Sequence, residues 1–283
     1  MKTILETLDS GTQWLEKKGV DDARRNMQLL VCHQLNYSKI QLYTRFDEPV
    51  QESDLAPLRD LLKRRGNREP LQHLLGTVEF YRRDFYSDAR ALIPRPETEE
   101  LCEIILNQLR PTAPTKVLDM GTGSGIIGIT LGLEYGSQST ITCADTSLEA
   151  LELTQKNITS LGAENVKELH TNLFESIEGK FDLIAANLPY VPERDRASLE
   201  AELKYDPDLA LFSGEDGLDI IRQFIQECPA YLENGAQIAL EIGIHQNTEV
   251  EALLSEAGFT EIKTFPDLSG IYRFPTARWK AQD

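Results

Sequence analysis

Two short stretches hold the residues best suited to chemistry. The first is Asp119-Met-Gly-Thr-Gly-Ser-Gly125, set between an apolar run ending at Leu118 and an apolar helix pattern. Glycines at such a junction allow a tight turn and let a ligand approach the backbone. The helix that follows points its positive N-terminal end at that ligand. Gly123, Gly125 and Gly128 do not by themselves identify it, because Gly123-Ser-Gly-Ile-Ile-Gly128 also fits the dinucleotide fingerprint G-x-G-x-x-G. Asp119 tilts the balance: a carboxylate at the strand end suits a cationic ligand better than a pyrophosphate. S-adenosylmethionine carries an ammonium and a sulfonium and no phosphate. Asp145 ends the next expected strand, 24 residues after Gly121, where it can accept ribose hydroxyls from either cofactor. The second stretch is Asn187-Leu-Pro-Tyr190, after the apolar run 181–186. That is the carboxyl edge of a strand, where open α/β sheets bind ligands.

These stretches need a scaffold, and the apolar periodicity supplies one. Residues 1–75 show helical spacing over 3–17, 21–35, 38–44 and 53–65, with Gly19, Pro49 and Gly66 as breaks and Asp21 and Ser53 as expected N-caps. A small helical bundle is expected. Residues 76–91 hold two short β-like runs around Arg82-Arg83, which predicts a β-hairpin linker. Pro94 and Pro96 hold the next segment extended, and a helix starts at Glu97. From residue 92 to 283 strand and helix alternate. Strands are expected at 117–118, 139–144, 166–170, 181–186, 236–242, 260–264 and 271–274. Helices are expected from the glycine loop to about 135 and at 147–161, 216–232 and 247–257. This predicts an α/β, mostly parallel, doubly wound sheet.

Asn187-Leu-Pro-Tyr190 resembles the N/D/S-P-P-Y/F/W signature of methyltransferases that modify planar amino nitrogens. Such a nitrogen has its lone pair delocalised into a π system and is a poor nucleophile. The resemblance implies that the Asn187 side-chain oxygen and the Leu188 carbonyl accept its two N–H groups. Tyr190 would pack on the flat face of the substrate group. Leu188 stands where the signature has proline. The carbonyl is retained and Pro189 keeps Leu188 in extended space, but the φ lock is lost.

Over nearly the whole chain the sequence is similar to the release factor glutamine methyltransferases, the PrmC/HemK family. The resemblance rests on Leu92-Ile-Pro-Arg-Pro-Glu-Thr-Glu99, Asp119 to Gly125, Ala144-Asp-Thr-Ser147, Asn187 to Tyr190, the run from Asp206-Pro-Asp to Asp216-Gly-Leu218, Leu240-Glu-Ile-Gly243 and Asp267-Leu-Ser-Gly-Ile-Tyr-Arg273. Asn172, Asp206 and Ser213 depart from the family pattern, as Leu188 does. The family implies a Rossmann-like seven-stranded S-adenosylmethionine-dependent domain over 92–283. Before it would come a helical substrate-recognition domain (1–75) and the hairpin (76–91). Gly121, Thr122, Gly123, Ser124 and Gly125 would then face the methionine part of S-adenosylmethionine, Asp145 its ribose, and Asn172 and Leu173 its adenine. Arg95, Glu97 and Thr98 would shape one wall of the site. The implied reaction is methyl transfer to the side-chain amide nitrogen of the glutamine in the Gly-Gly-Gln motif of class I peptide-chain release factors.

Composition bounds the alternatives. The chain has 283 residues, 41% hydrophobic and 27% charged, which excludes a disordered or collagen-like chain. No run of about 18 apolar residues predicts a membrane span, and the N-terminus meets an acidic residue too early for a signal peptide. Cys32, Cys102, Cys143 and Cys228 are scattered, as reduced buried thiols of a cytoplasmic protein would be. His33, His73, His170 and His245 show no ligand spacing, so no metal is expected. Residues 1–75 hold 12 basic and 11 acidic side chains, so the rest of the chain carries −18 against a net charge of −17. An acidic body opposes nucleic acid as the main partner, and a monomer is expected. The cluster Arg59, Lys63, Arg64, Arg65, Arg68 is either a solvated helix face or a contact for RNA or an acidic partner. Three other functions remain open at this point: an adenine-N6 methyltransferase, a non-catalytic cofactor-binding protein and a nicotinamide enzyme.

Overall fold

The computed structural model describes residues 2–109 and 115–281. It divides into two units, one running through Thr77 and including Glu200–Tyr205, the other comprising Val78–Leu199 and the chain from Asp206 onward. In the first unit, Thr3 and Glu6 form a reciprocal capping box that starts α1 (Ile4–Lys17). α2 (Ala23–Leu35) follows, then α3 (Lys39–Thr44), which begins with a second capping box between Ser38 and Gln41. α4 (Glu52–Gly66) and the short α5 (Leu71–Leu75) complete the bundle. Its core is built from Leu8, Leu15, Met27, Leu30, Leu42 and Leu58. The expected caps of α2 and α4 are corrected. Asp22, in left-handed conformation, precedes α2, and Gln51 precedes α4; neither makes a side-chain cap bond. Ser53 lies inside the first turn of α4, which Glu52 and Asp54 favour by their charge.

The basic cluster is largely engaged within its own unit. Arg59 pairs with Glu52, and Arg64 pairs with Glu69 through two hydrogen bonds. Arg68 donates to the Gly19 carbonyl. Arg65 is only 4% exposed. It donates to Asn26 Oδ1 (2.7 Å), the Glu69 carbonyl (3.0 Å) and Glu202 Oε1 (2.6 Å). Burial of a guanidinium is tolerable because its donors are satisfied and its charge is paired. Arg59, Arg64 and Arg65 are thus paired with carboxylates.

β1 (Thr77–Phe80) and β2 (Arg83–Tyr86) form the expected hairpin. Its turn lies one residue earlier than expected, at Tyr81 and Arg82, both with positive φ, as the twist of a two-residue hairpin loop demands. Phe80 and Phe85 are buried edge to face, with centroids 6.0 Å apart.

The second unit continues with α6 (Pro96–Gln108), β3 (Thr115–Met120), α7 (Ile126–Tyr135), β4 (Ser139–Asp145), α8 (Leu148–Leu161), β5 (Val166–His170), β6 (Phe181–Asn187), α9 (Asp219–Glu227), β7 (Leu232–Glu241), α10 (Asn247–Glu256), β8 (Thr260–Pro266) and β9 (Tyr272–Arg278). The seven-stranded sheet has the order β5-β4-β3-β6-β7-β9-β8. Its first five strands are parallel, and β9 runs antiparallel to both β7 and β8. α9 is shorter than the expected 216–232, because Pro229 lacks the N–H a helix needs; a 3-10 turn, Cys228–Tyr231, leads into β7. β9 runs to Arg278, beyond the expected 274, because it pairs on both sides. All four cysteines are buried. No described helix is long and apolar enough to cross a membrane.

Gly128 shows how tightly α7 lies on the sheet. A Cβ there would stand 2.3 Å from Cys143 Sγ and 3.0 Å from Asp119 Oδ2. Glycine to alanine in an open helix interior stabilises by roughly 0.5–1 kcal/mol. Here the sign reverses: Gly128→Ala is expected to cost about 1–3 kcal/mol through overpacking and to lower the melting midpoint by roughly 5 °C in calorimetry. A raised midpoint would show that α7 can lift without cost.

Candidate active site

The chain enters the parallel sheet at β3, builds outward through β4 and β5, and then returns to lay β6 on the other side of β3. The loops leaving β3 and β6 therefore diverge, opening a crevice at the carboxyl edge. Met120 pairs with Ala186 in register. This brings Gly121 and Asn187, 66 positions apart in the chain, to the same place. A cavity of about 260 Å³ lies there.

The glycine loop forms one wall. Gly121, Gly123 and Gly125 all have positive φ. A Cβ at Gly121 would stand 2.9 Å from Leu188 Cδ2, so the close approach of the two loops requires glycine. Gly121, Thr122, Gly123 and Ser124 face the cavity, whereas Gly125 lies behind it as the N-cap of α7. Asp119 is fully buried and is not on the cavity wall. Its Oδ2 accepts from Thr122 Oγ1 (2.5 Å) and Gly128 N (2.8 Å), tying the loop to the first turn of α7. Burial pushes its carboxyl up to about 6 against the pull of those hydrogen bonds.

Asp145 does line the cavity. Its two oxygens accept from Gly123 N and Ser147 N, each at 2.9 Å. Burial raises its carboxyl above the usual range. These bonds bear on the ligand's charge. The amides of Gly121 and Thr122 both donate to the Ala144 carbonyl, and Gly125 N donates to Thr122 O. Four loop amides, those of Gly121, Thr122, Gly123 and Gly125, are thus occupied, that of Gly123 by the Asp145 carboxylate. Arg90, at the cavity rim, is held by both oxygens of Asp88 at 2.9 Å. The Asp145 carboxylate on this wall suits a cationic ligand with a ribose. S-adenosylmethionine meets these requirements.

On the far side, Thr171, Asn172 and Leu173 line the cavity after β5. Leu173 has φ of 45°. That unusual conformation is held by Thr171 Oγ1, which donates to Leu173 O (3.0 Å) and accepts from Ser176 N (2.9 Å). Asn172 Nδ2 donates to Glu175.

Asn187, Leu188 and Pro189 reach the cavity from β6. Asn187 is half-buried, and its Nδ2 donates to Thr98 Oγ1 at 3.3 Å. Leu188 is buried at 4% exposure. Tyr190 is brought near Asn187 but is not on the cavity wall. Its hydroxyl donates to Glu241 Oε1 at 3.3 Å, and burial, with Glu241 beside it, raises its phenol above the ordinary value. Arg95 and Thr98 line the cavity; Glu97 does not.

Several residues of this site escaped sequence reasoning. Gln246 braces the loop: its Nε2 donates to the carbonyls of Tyr190 (3.0 Å) and Asp216 (3.3 Å), and its Oε1 accepts from Gly243 N (2.8 Å). Leu209 and, on α9, Ile220 add apolar wall. Asp206 holds the 92–95 segment from beneath, accepting from Ile93 N at 3.3 Å with Arg95 at 3.8 Å, and burial pushes it up to about 6. Asp206 and Glu241 stood in quoted motifs, but nothing in the chain said what they touch.

Comparison with known proteins gives the family and the fold. The family model described as PrmC N-terminal domain matches residues 6–76, and the methyltransferase small domain matches 97–203. A release factor glutamine methyltransferase of Deinococcus radiodurans is 39% identical, over 97% of this chain and 98% of its own. One of Geobacter sulfurreducens is 37% identical, over 96% and 95%. Among solved structures, a methyltransferase from Pyrococcus furiosus aligns with a TM-score of 0.52 at 16% identity, over 70% of this chain and 89% of its own. The T. thermophilus 16S rRNA N2 G1207 methyltransferase, in complex with AdoMet and guanosine, also gives 0.52, at 18% identity over 72% and 50%. These two likenesses speak to fold alone.

Proposed function

Since the chain belongs to the release factor glutamine methyltransferase family, an S-adenosylmethionine-dependent enzyme family, we propose that it methylates the side-chain amide nitrogen, N(5), of the Gly-Gly-Gln glutamine in a class I peptide-chain release factor. The observation that carries this reading is the meeting of Asn187 with the glycine loop and the Asp145 carboxylate around one cavity.

The cofactor, when bound, supplies a methyl group on a sulfonium leaving group. The chain's own part is to make a poor nucleophile competent. Asn187 Oδ1 and the Leu188 carbonyl accept the two N–H groups of the glutamine amide, which favours pyramidal nitrogen and aims its lone pair at the methyl carbon. Leu188 keeps an extended backbone because Pro189 follows it. Its side chain over Gly121 replaces part of the rigidity a proline would lend. Tyr190 closes the far side of the loop, tethered to Glu241. Gly121, Thr122, Gly123 and Ser124 bound the methionine part of the cofactor, Asp145 its ribose and Asn172 with Leu173 its adenine; Asp119 and Gly125 act from behind the loop. No covalent intermediate is required.

We further assign substrate recognition to residues 1–75, and place the enzyme in the cytoplasm as a monomer. The test is mass spectrometry of a release factor after incubation with S-adenosylmethionine. The expected result is a gain of one CH₂ on the Gly-Gly-Gln glutamine. Methylation only of an adenine oligonucleotide offered in parallel would overturn the assignment, and cofactor binding with no transfer to a cognate release factor would indicate a non-catalytic binder.

A further inference from the structure

Asn187 can serve as an acceptor only if its carboxamide presents oxygen, not nitrogen, to the substrate. A carboxamide is nearly symmetric in shape, so something must distinguish its ends. Thr98, at the start of α6, is 1% exposed, and Glu241, at the end of β7, is 2% exposed. Thr98 Oγ1 stands 2.7 Å from Glu241 Oε2 and 3.3 Å from Asn187 Nδ2. Asn187 and Glu241 are register partners on adjacent parallel strands. An ionised carboxylate only accepts, so the single hydroxyl proton of Thr98 goes to Glu241. The hydroxyl lone pair then accepts from Asn187 Nδ2, and Oδ1 is the end left for the substrate.

We propose that Glu241 and Thr98 are positioning residues, a two-link relay that sets which end of the Asn187 carboxamide meets the substrate amide; this rests on the role proposed above for Asn187. If Glu241 takes up a proton, it can donate to Thr98. The Thr98 proton is then free to turn toward Asn187, and the amide can reverse. A reversed amide presents N–H to N–H and loses the acceptor.

The groups facing Glu241 are Glu97 and Thr98 from α6, Tyr190 from the loop after β6 and Arg273 from β9. Burial pushes the Glu241 carboxyl up to about 6; its hydrogen bonds from Thr98 and Tyr190 pull it down, Glu97 raises it and Arg273 lowers it. Arg273 is itself held by Asp267 at 2.7 Å. The sign follows. A carboxylate whose folded pKa is raised opposes folding at neutral pH and becomes less costly as pH falls through about 6. Loss of turnover in that window is therefore not acid unfolding driven by Glu241.

The test compares Thr98→Val, isosteric but without the hydroxyl, with Thr98→Ser, which restores it. Thr98→Val is expected to lower kcat about tenfold, the size of one neutral hydrogen bond, with S-adenosylmethionine affinity unchanged in calorimetry. Thr98→Ser is expected to retain turnover near the parent rate. The ratio of parent to Thr98→Val kcat is expected to shrink as pH falls below about 6, because only the parent transmits the Glu241 proton. Taking the ratio cancels titrations common to both enzymes, including those of Asp119 and Asp206. Parent-like kcat in Thr98→Val, failure of Thr98→Ser to restore it, or a ratio independent of pH would each overturn the relay. Asn187→Ala, run alongside, separates the two claims: if it is inactive while Thr98→Val is normal, only the relay fails; if it too is fully active, the role of Asn187 fails.

Discussion

Asn187→Ala is expected to lower kcat by about 10²–10³-fold, by analogy with the loss of one preorganised hydrogen-bonding group from an oxyanion hole. In the mechanism proposed above, the glutamine nitrogen is held by two acceptors. Removing one leaves the amide free to stay planar, with its lone pair delocalised and off the line of attack. Cofactor affinity is expected to change little, because the proposed ribose and adenine contacts come from the loops after β4 and β5, which line the cavity apart from Asn187. The two effects are separable: steady-state kinetics on a release factor reads kcat, and calorimetry with S-adenosylhomocysteine reads binding. Truncation also leaves Thr98 Oγ1 without its amide donor, a small cost since that hydroxyl still donates to Glu241 at 2.7 Å. Turnover at the parent rate would remove Asn187 from the chemistry.

Asp145→Ala should act on binding instead. Its carboxylate stands on the cavity wall with both oxygens already accepting backbone amides. Each oxygen keeps a further lone pair for a ribose hydroxyl. A hydrogen bond to a charged group contributes about 1.5–3 kcal/mol net, so loss of one to the ribose is expected to weaken the cofactor by about 10–100-fold. Part of any loss could come from the glycine loop, since Gly123 N would be released. A thermodynamic cycle with 2′-deoxy-S-adenosylhomocysteine separates the two sources. If Asp145 binds the ribose, the deoxy ligand loses affinity for the parent protein but little further for the variant. Independent, additive losses would make Asp145 a loop brace only. Because burial raises this carboxyl, its protonation is also expected to weaken the cofactor as pH falls.

Much of this protein was legible along the chain because its local physics is one-dimensional. The helix expected at 147–161 formed as α8, with Ser147 as its N-cap, accepting from Ala150 N. Val166–His170 formed with the expected bounds. The seven-stranded α/β architecture and the type of nearly every element followed from periodicity and punctuation, and the family followed from motifs that are contiguous in sequence. The errors are local too. Asp21 and Ser53 have cap chemistry, but neighbouring residues took the cap positions without making cap bonds, because burial of the helix faces outweighs a cap's roughly 1 kcal/mol.

What the chain alone could not decide is the direction in which polar groups face once distant segments meet. Asp119 looked like a ligand contact, yet it turns inward to Thr122 and Gly128. The Tyr190 hydroxyl is drawn to Glu241, a partner 51 positions along the chain. Glu200–Tyr205 lies more than a hundred residues beyond the helical bundle in the chain but belongs to that unit, through Arg65 and Glu202. Thr98, Asn187 and Glu241 come from three separate regions and meet only because β6 and β7 pair in register. The amino-acid order determined the elements, the glycine turn and the chemical groups on offer, since these depend on neighbours a few residues away. Strand register and burial determined which oxygen or nitrogen each group presents, because a hydrogen bond's direction depends on partners that only the folded sheet brings within reach.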